Sequence, residues 1–220
     1  MTPPAKRSLP NRAWQAFLKF VCRLGAVAVF NIRCHAREKV PKTGGGLMLS
    51  NHQSNLDPVI IGLASDRRLN YVARKTLFRF PLLRWMMNSV DSIAIDREGT
   101  GLEGLKETLK RLKRGEVVLL FPEGTRTPDG EVHRIKPGFC AVARRSGVPI
   151  LPVAMDGAFD ALPRTRRLPR RAVIHVQFGD PIEPPDIERM TDDQLVAEVQ
   201  RRIRQCHADA RTARLRASGI

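Results

Sequence analysis

Apolar residues fall into short runs separated by turn residues and amphipathic stretches. Leu47-Met48-Leu49-Ser50 is a compact apolar segment set off by Gly44-Gly45-Gly46, and it predicts a buried strand. Val117–Phe121 and Pro149–Ala154 read the same way, and Ala172–Phe178 alternates as a strand and ends at Gly179-Asp180-Pro181. Shorter strands are expected over 32–37, 69–73 and 92–95. Between them lie segments of helical period. Gly101–Arg114 places Leu102, Leu105, Leu109 and Leu112 on one face and stops at Gly115. Gly138–Ser146 predicts a short helix ended by Gly147, and a further helix is expected over 58–65. The C-terminal helix opens at Thr191 with Gln194 three positions on, a capping box, and carries Leu195, Val199, Ile203 and Cys206 along its apolar face. Its Arg-rich end is expected to fray.

This alternation predicts an α/β fold: a mixed, largely parallel central sheet flanked by helices, without internal repeats. Residues 1–12 are Pro-rich and basic, and a helix is expected over about 13–31. Its apolar residues Trp14, Phe17, Leu18, Val21, Leu24 and Ala28 recur at helical spacing. Lys19 and Arg23 make it a poor spanning helix. It reads either as an interfacial helix with basic flanks or as an amphipathic helix packed on the domain. The chain divides accordingly into a basic arm and interfacial helix over 1–31 and one α/β domain over 32–220. The apolar stretch 76–87, interrupted by Pro81, reads as a broken helix.

Charge narrows the partners. The 220 residues carry 38 Lys+Arg against 22 Asp+Glu, a net charge of +16, which concentrates anions: nucleic acid, anionic lipid surfaces or phosphorylated substrates. Aromatics are only 5 %, there is one Tyr, and no nucleic-acid-binding motif appears, so no specific nucleic-acid partner is expected. The four cysteines lack metal-ligand spacing and read as reduced thiols, with no metal expected. The N-terminal residues lack a cleavage site behind a clean apolar core, so no secretory signal is expected.

Chemistry concentrates after the strands, where open α/β sheets collect their sites. Asn51-His52-Gln53-Ser54-Asn55-Leu56-Asp57-Pro58 follows the Leu47–Ser50 strand. A His at a strand end with a carboxylate five positions on can form a base, the carboxylate holding the tautomer. Taken alone, the segment reads rather as a helix start, with Asn55 or Asp57 as cap and Pro58 as first helical residue. The strand Val117–Phe121 is followed by Pro122-Glu123-Gly124-Thr125-Arg126. Lys75 follows the strand at 69–73, and Arg97 the strand at 92–95. Each cation alone is an ordinary solvated charge, and Glu123-Gly124-Thr125 alone is a polar turn. Together, Lys75, Arg97 and Arg126 form a candidate phosphate clamp beside His52.

These blocks resemble those of the glycerolipid acyltransferases, the 1-acylglycerol-3-phosphate acyltransferase family. Asn51–Asp57 is similar to the family's N-H-x-x-x-x-D motif, and Phe121–Arg126 matches its F-P-E-G-T-R block. Ile95-Asp96-Arg97 looks like the intermediate block, and Val148–Ala154, with two prolines, is similar to the last. The resemblance covers about residues 45–155 and implies the following assignments. An acyl group moves from acyl-CoA or acyl-carrier protein to the free hydroxyl of 1-acyl-sn-glycerol 3-phosphate, giving phosphatidic acid. His52 is the base and Asp57 its partner, and no protein nucleophile is needed. Lys75, Arg97 and Arg126 bind the acceptor phosphate. Glu123, Gly124 and Thr125 shape the acceptor pocket, where Glu123 bonds glycerol or orders a basic neighbour. A backbone N–H of one of the turns stabilises the oxyanion. No cofactor is implied. A lysophospholipid lies in a leaflet, so the chain is expected as a peripheral or monotopic protein at the cytoplasmic face of the cell membrane, touching an anionic membrane surface through 13–31 and 76–87. That need tips 13–31 toward the interfacial reading. Glycerol 3-phosphate, dihydroxyacetone phosphate or a lyso-aminolipid are the alternative acceptors.

Overall fold

The structure, a computed structural model, describes residues 30–74, 93–95, 102–166, 168–217 and 219. Most of the helix expected over 13–31, the whole of 76–87, and the predicted site residues Lys75 and Arg97 lie outside the described residues. Seven strands form one sheet in the order β1-β7-β6-β2-β5-β3-β4. They are β1 (Phe30–His35), β2 (Gly46–Ser50), β3 (Leu69–Arg74), β4 (Ile93–Ile95), β5 (Val117–Leu120), β6 (Ile150–Asp156) and β7 (Ala172–Phe178). All neighbouring pairs run parallel except β6 with β7. The sheet is therefore mixed and largely parallel, as the alternation of runs predicted. β1 starts at Phe30, inside the segment assigned to the N-terminal helix, because Phe30–His35 pairs in register with Ala172–Gln177.

Helices cover both faces: α1 (Asp57–Ala64), α2 (Leu102–Lys113), α3 (Gly138–Ser146), α4 (Ala158–Ala161), α5 (Pro184–Arg189) and α6 (Asp192–Ala217). The two-residue period of the strands sorts their side chains into two cores. Leu47 and Leu49 of β2 point into one, with Val118, Ile150 and the apolar face of α6 (Leu195, Val199, Ile203, Cys206). Met48 points into the other, with Val117, Leu119, Leu151, Val153 and α1 residues Ile60 and Ile61. β2 is buried along its whole length, which its unbroken apolar run required. Gly45 has no room for a side chain: a Cβ there would run into the Leu112 carbonyl at the end of α2.

The capping box of α6 forms as predicted, Thr191 N–H donating to Gln194 Oε1 (2.8 Å) and Gln194 N–H to Thr191 Oγ1 (3.3 Å). The C-terminal end does not fray. α6 continues to Ala217, where two arginines of its last turns are tied down: Arg211 donates to Glu131 (2.7 Å), and Arg214 pairs with Asp156 (2.5 Å) and Asp160 (2.9 Å). The short helices α4 and α5 have no apolar period of their own, and the sequence pattern did not announce them. Burial pushes the Cys206 thiol up to about 12 and, aided by Asp192, Cys140 up to about 11, leaving both protonated and inert.

Candidate active site

β2 and β5 are parallel neighbours, so the loops that follow them leave the sheet at the same edge. The first loop carries His52, the second Glu123–Arg126. His52 Nδ1 lies 2.8 Å from Asp57 Oδ2. The same oxygen accepts the backbone N–H groups of Gln53 (2.6 Å) and Ser54 (2.8 Å). Asp57 is wholly buried, and its other oxygen has no hydrogen-bond partner. Asp57 is thus the first residue of α1, yet its carboxylate does not cap that helix. It turns back and closes the loop 52–57. The cap reading fails because three donors on the N-terminal side outbid the helix's own amides.

An ionised carboxylate offers only acceptors, so His52 Nδ1 carries the proton and Nε2 keeps its lone pair. No described residue hydrogen-bonds to Nε2. The His52 side chain is 19 % exposed, and its ring stacks on Phe121 at 4.1 Å between centroids, 20° from parallel. Burial pushes the Asp57 carboxyl up from its ordinary value, while the His52 hydrogen bond and charge and the two backbone amides pull it down. A positive charge arriving on His52 answers that desolvation, so the pair favours imidazolium formation at the moment of proton transfer.

The rest of the loop is held by its own side chains. Asn51 forms a reciprocal pair with the Met155 backbone of β6, at 2.9 and 3.0 Å. Gln53 Oε1 accepts the N–H groups of Ala158 and Phe159 at the start of α4, and its Nε2 donates to Gly130 O (2.7 Å). That nitrogen also lies 3.3 Å from His207 Nε2 on α6. His207 in turn contacts Asp156, whose ionised form Arg214 and Arg211 also face. Ser54 Oγ donates to Leu162 O (2.9 Å) and so serves the loop rather than a covalent step.

Glu123 is nearly buried, and both its oxygens take backbone amides: His52 N–H at 3.0 Å and His133 N–H at 3.3 Å. It ties the second loop to the first. Burial pushes its carboxyl up, against those two amides. Gly124 sits at φ 74°, the left-handed turn position that its neighbours' sequence suggested. Thr125 is exposed, and Arg126 is half-buried, its guanidinium making no hydrogen bond to a described residue. Thr127 N–H donates to His52 O (2.7 Å), a second tie between the loops. The structure therefore brings His52, Asp57, Glu123, Gly124, Thr125 and Arg126 to one edge of the sheet. β3 and β4, which Lys75 and Arg97 follow in sequence, run parallel in the same sheet.

Two neighbours went unnoticed in the sequence as candidates. Phe121 closes one face of the His52 ring, and only the parallel pairing of β2 with β5 reveals it. Lys136 passes over the turn: its Nζ lies 3.4 Å from where a Gly124 Cβ would be. Its sole signal was membership of a basic run, Arg134-Ile135-Lys136, in a chain full of such runs. Among the described residues no cluster of His, Cys, Asp and Glu fits a metal ion, and no helix is long and apolar enough to cross a membrane.

Comparison with known proteins fits this geometry. The profile of the family described as Acyltransferase matches residues 31–156, more than half of the chain. The 1-acyl-sn-glycerol-3-phosphate acyltransferase of Bacillus subtilis (strain 168) is 26 % identical over 190 residues, covering 86 % of this chain and 90 % of that protein. A protein of the same name from Pseudomonas aeruginosa is 32 % identical over 145 residues, covering 64 % of this chain and 54 % of that one. The crystal structure of the 1-acyl-sn-glycerophosphate (LPA) acyltransferase, PlsC, from Thermotoga maritima superposes with a TM-score of 0.78 at 22 % identity, over 91 % of this chain and 82 % of that one. That last likeness is one of fold.

Proposed function

The chain belongs to the acyltransferase family, and from that premise we propose that it acylates the free hydroxyl of 1-acyl-sn-glycerol 3-phosphate, forming phosphatidic acid. The donor is a fatty acyl thioester, acyl-CoA or acyl-carrier protein. The observation that carries this reading is the 2.8 Å contact of His52 Nδ1 with a buried Asp57, which leaves Nε2 as a base at the sheet edge.

His52 Nε2 takes the proton of the acceptor hydroxyl as its oxygen attacks the thioester carbonyl. The C–O bond forms, and the carbonyl oxygen carries the negative charge of the tetrahedral intermediate. Collapse breaks the C–S bond, and the imidazolium returns the proton to the leaving thiolate. Asp57 stabilises the imidazolium in between, so the alcohol itself is the nucleophile and the enzyme forms no covalent intermediate. The chemistry is ester exchange, with no change of oxidation state, and it calls for no redox cofactor. Arg126 supplies a forked donor for the acceptor phosphate, with Lys75 and Arg97 as its partners and Thr125 beside it. Glu123 holds the backbone of His52 at the position from which it acts, and Gly124 permits the turn. The acceptor reaches the site from an anionic membrane surface at the cytoplasmic face, to which a charge of +16 is suited.

The test is acyl transfer by purified protein with lysophosphatidic acid and both donors. The His52→Ala variant is expected to lose acyl transfer while its far-UV circular dichroism and thermal midpoint stay as in wild type. Retained activity in that variant would refute the base assignment. A panel with glycerol 3-phosphate, dihydroxyacetone phosphate and a lyso-aminolipid identifies the acceptor.

A further inference from the structure

The loop between α4 and β7 is the most basic exposed segment next to the site. Residues 162–171, Leu-Pro-Arg-Thr-Arg-Arg-Leu-Pro-Arg-Arg, contain five arginines and no acidic residue. Arg164, Arg166, Arg170 and Arg171 are exposed. Between them Leu168 is 78 % exposed, the most exposed large hydrophobic residue described. The loop is nevertheless built: Arg166 N–H donates to Pro163 O (3.1 Å), and Arg170 N–H closes it onto Ala161 O (2.9 Å).

Its position ties it to the chemistry. β6 runs parallel to β2, and β7 runs antiparallel to β6. The connection between them therefore lies at the sheet edge that carries His52 and Arg126. Two hydrogen bonds fix it there: Ser54 Oγ to Leu162 O (2.9 Å), and Arg164 Nη1 to Arg126 O (3.3 Å). An apolar side chain held out into water between cations has the composition of an interfacial anchor. The leucine enters the acyl boundary while the guanidinium groups meet phosphates of the headgroups.

We propose that the 162–171 loop docks on an anionic lipid bilayer, with Leu168 inserted and Arg164, Arg166, Arg170 and Arg171 on headgroup phosphates, setting the mouth of the His52 site on the leaflet. This goes beyond the segments 13–31 and 76–87, which the sequence alone offered as contact surfaces, and it rests on the acceptor being a membrane lipid. An acidic protein such as the acyl-carrier donor shares the charge complementarity, but it gives a lone exposed leucine flanked by arginines no acyl phase to enter.

The test is co-sedimentation of the full chain with phosphatidylglycerol–phosphatidylcholine vesicles and with pure phosphatidylcholine vesicles. Arg166→Gln/Arg171→Gln is expected to weaken binding to the anionic vesicles about 30-fold at low salt, at roughly 1 kcal/mol per cation. Leu168→Asn is expected to weaken it about tenfold. Both variants are expected to keep wild-type turnover of a dispersed short-chain lysophosphatidic acid and to lose turnover of the vesicle-embedded one in step with binding. Unchanged vesicle binding in both variants overturns the proposal. So does intact vesicle binding with a raised KM for acyl-carrier protein, which would make the loop a protein-docking surface. Failure of the wild type to acylate lysophosphatidic acid in either form refutes the proposed reaction instead, and leaves the binding measurement to decide the loop by itself.

Discussion

Acidifying the protein isolates the buried ion cluster that holds α6 to the end of β6. Asp156, 2 % exposed at the end of β6, faces His207, Arg211 and Arg214. Burial works against its ionised form, but the hydrogen bonds and charges of His207 and Arg214 outweigh burial and hold its carboxyl at about 2, against an ordinary 3.8. At 1.36 kcal/mol per pH unit that difference is worth about 2 kcal/mol of folding stability. The sign follows from the depression. In the unfolded chain the carboxyl is ionised above its ordinary value, so the full contribution is present at higher pH. As pH falls below that value the unfolded chain takes up the proton first, and the contribution shrinks until the folded carboxyl is protonated as well. An Asp156→Asn variant keeps the shape and lacks the charge. Urea unfolding of both proteins, followed by far-UV circular dichroism from about pH 5 down to about pH 2, gives the difference in stability at each pH. Other titrations are common to both proteins and largely cancel. The difference is expected to narrow by about 2 kcal/mol across that range. A difference that stays constant with pH would show that the Asp156 charge does not stabilise the fold, and that the arginines merely lie near it.

Two shorter predictions concern the loops. Asp57→Asn puts an amide where three donors now meet one oxygen, reversing the favoured His52 tautomer; kcat is expected to fall by about 10³–10⁴-fold with KM for the acceptor little changed, and a fall below tenfold would deny Asp57 its role. Gly124→Ala forces a side chain into φ 74° and is expected to lower unfolding free energy by about 1–2 kcal/mol in urea titration, because the nearest obstacle, the Lys136 ammonium, can swing aside but the backbone strain cannot.

Sequence pattern alone made the sheet legible, because four of the seven strands (β2, β4, β5 and β6) are short apolar runs, β7 alternates, and a fully buried strand such as β2 leaves no other reading. The contact of His52 with Asp57 was legible too: five residues after a strand end suffice for a loop to fold back. What the pattern misjudged was how that loop closes. An aspartate before a proline looks like a helix cap, and whether its oxygens serve the following amides or the preceding ones depends on the path of residues 52–56. That path is set from outside by Asn51 on Met155, Gln53 on α4 and Glu123 on the His52 amide, partners 71 to 106 residues away. The same distance hid the end of α6. A run of arginines is indistinguishable in sequence from a solvated tail until the sheet places Asp156 and Asp160 opposite it. Glu123 shows the physical consequence most directly. In the Phe121–Arg126 block it looked like a group facing the acceptor, yet both its oxygens are occupied by amides of the two loops. The motif residues of such a site are therefore divided between those that meet the substrate and those that keep the backbone of the others still, and only the hydrogen-bond partners tell which is which.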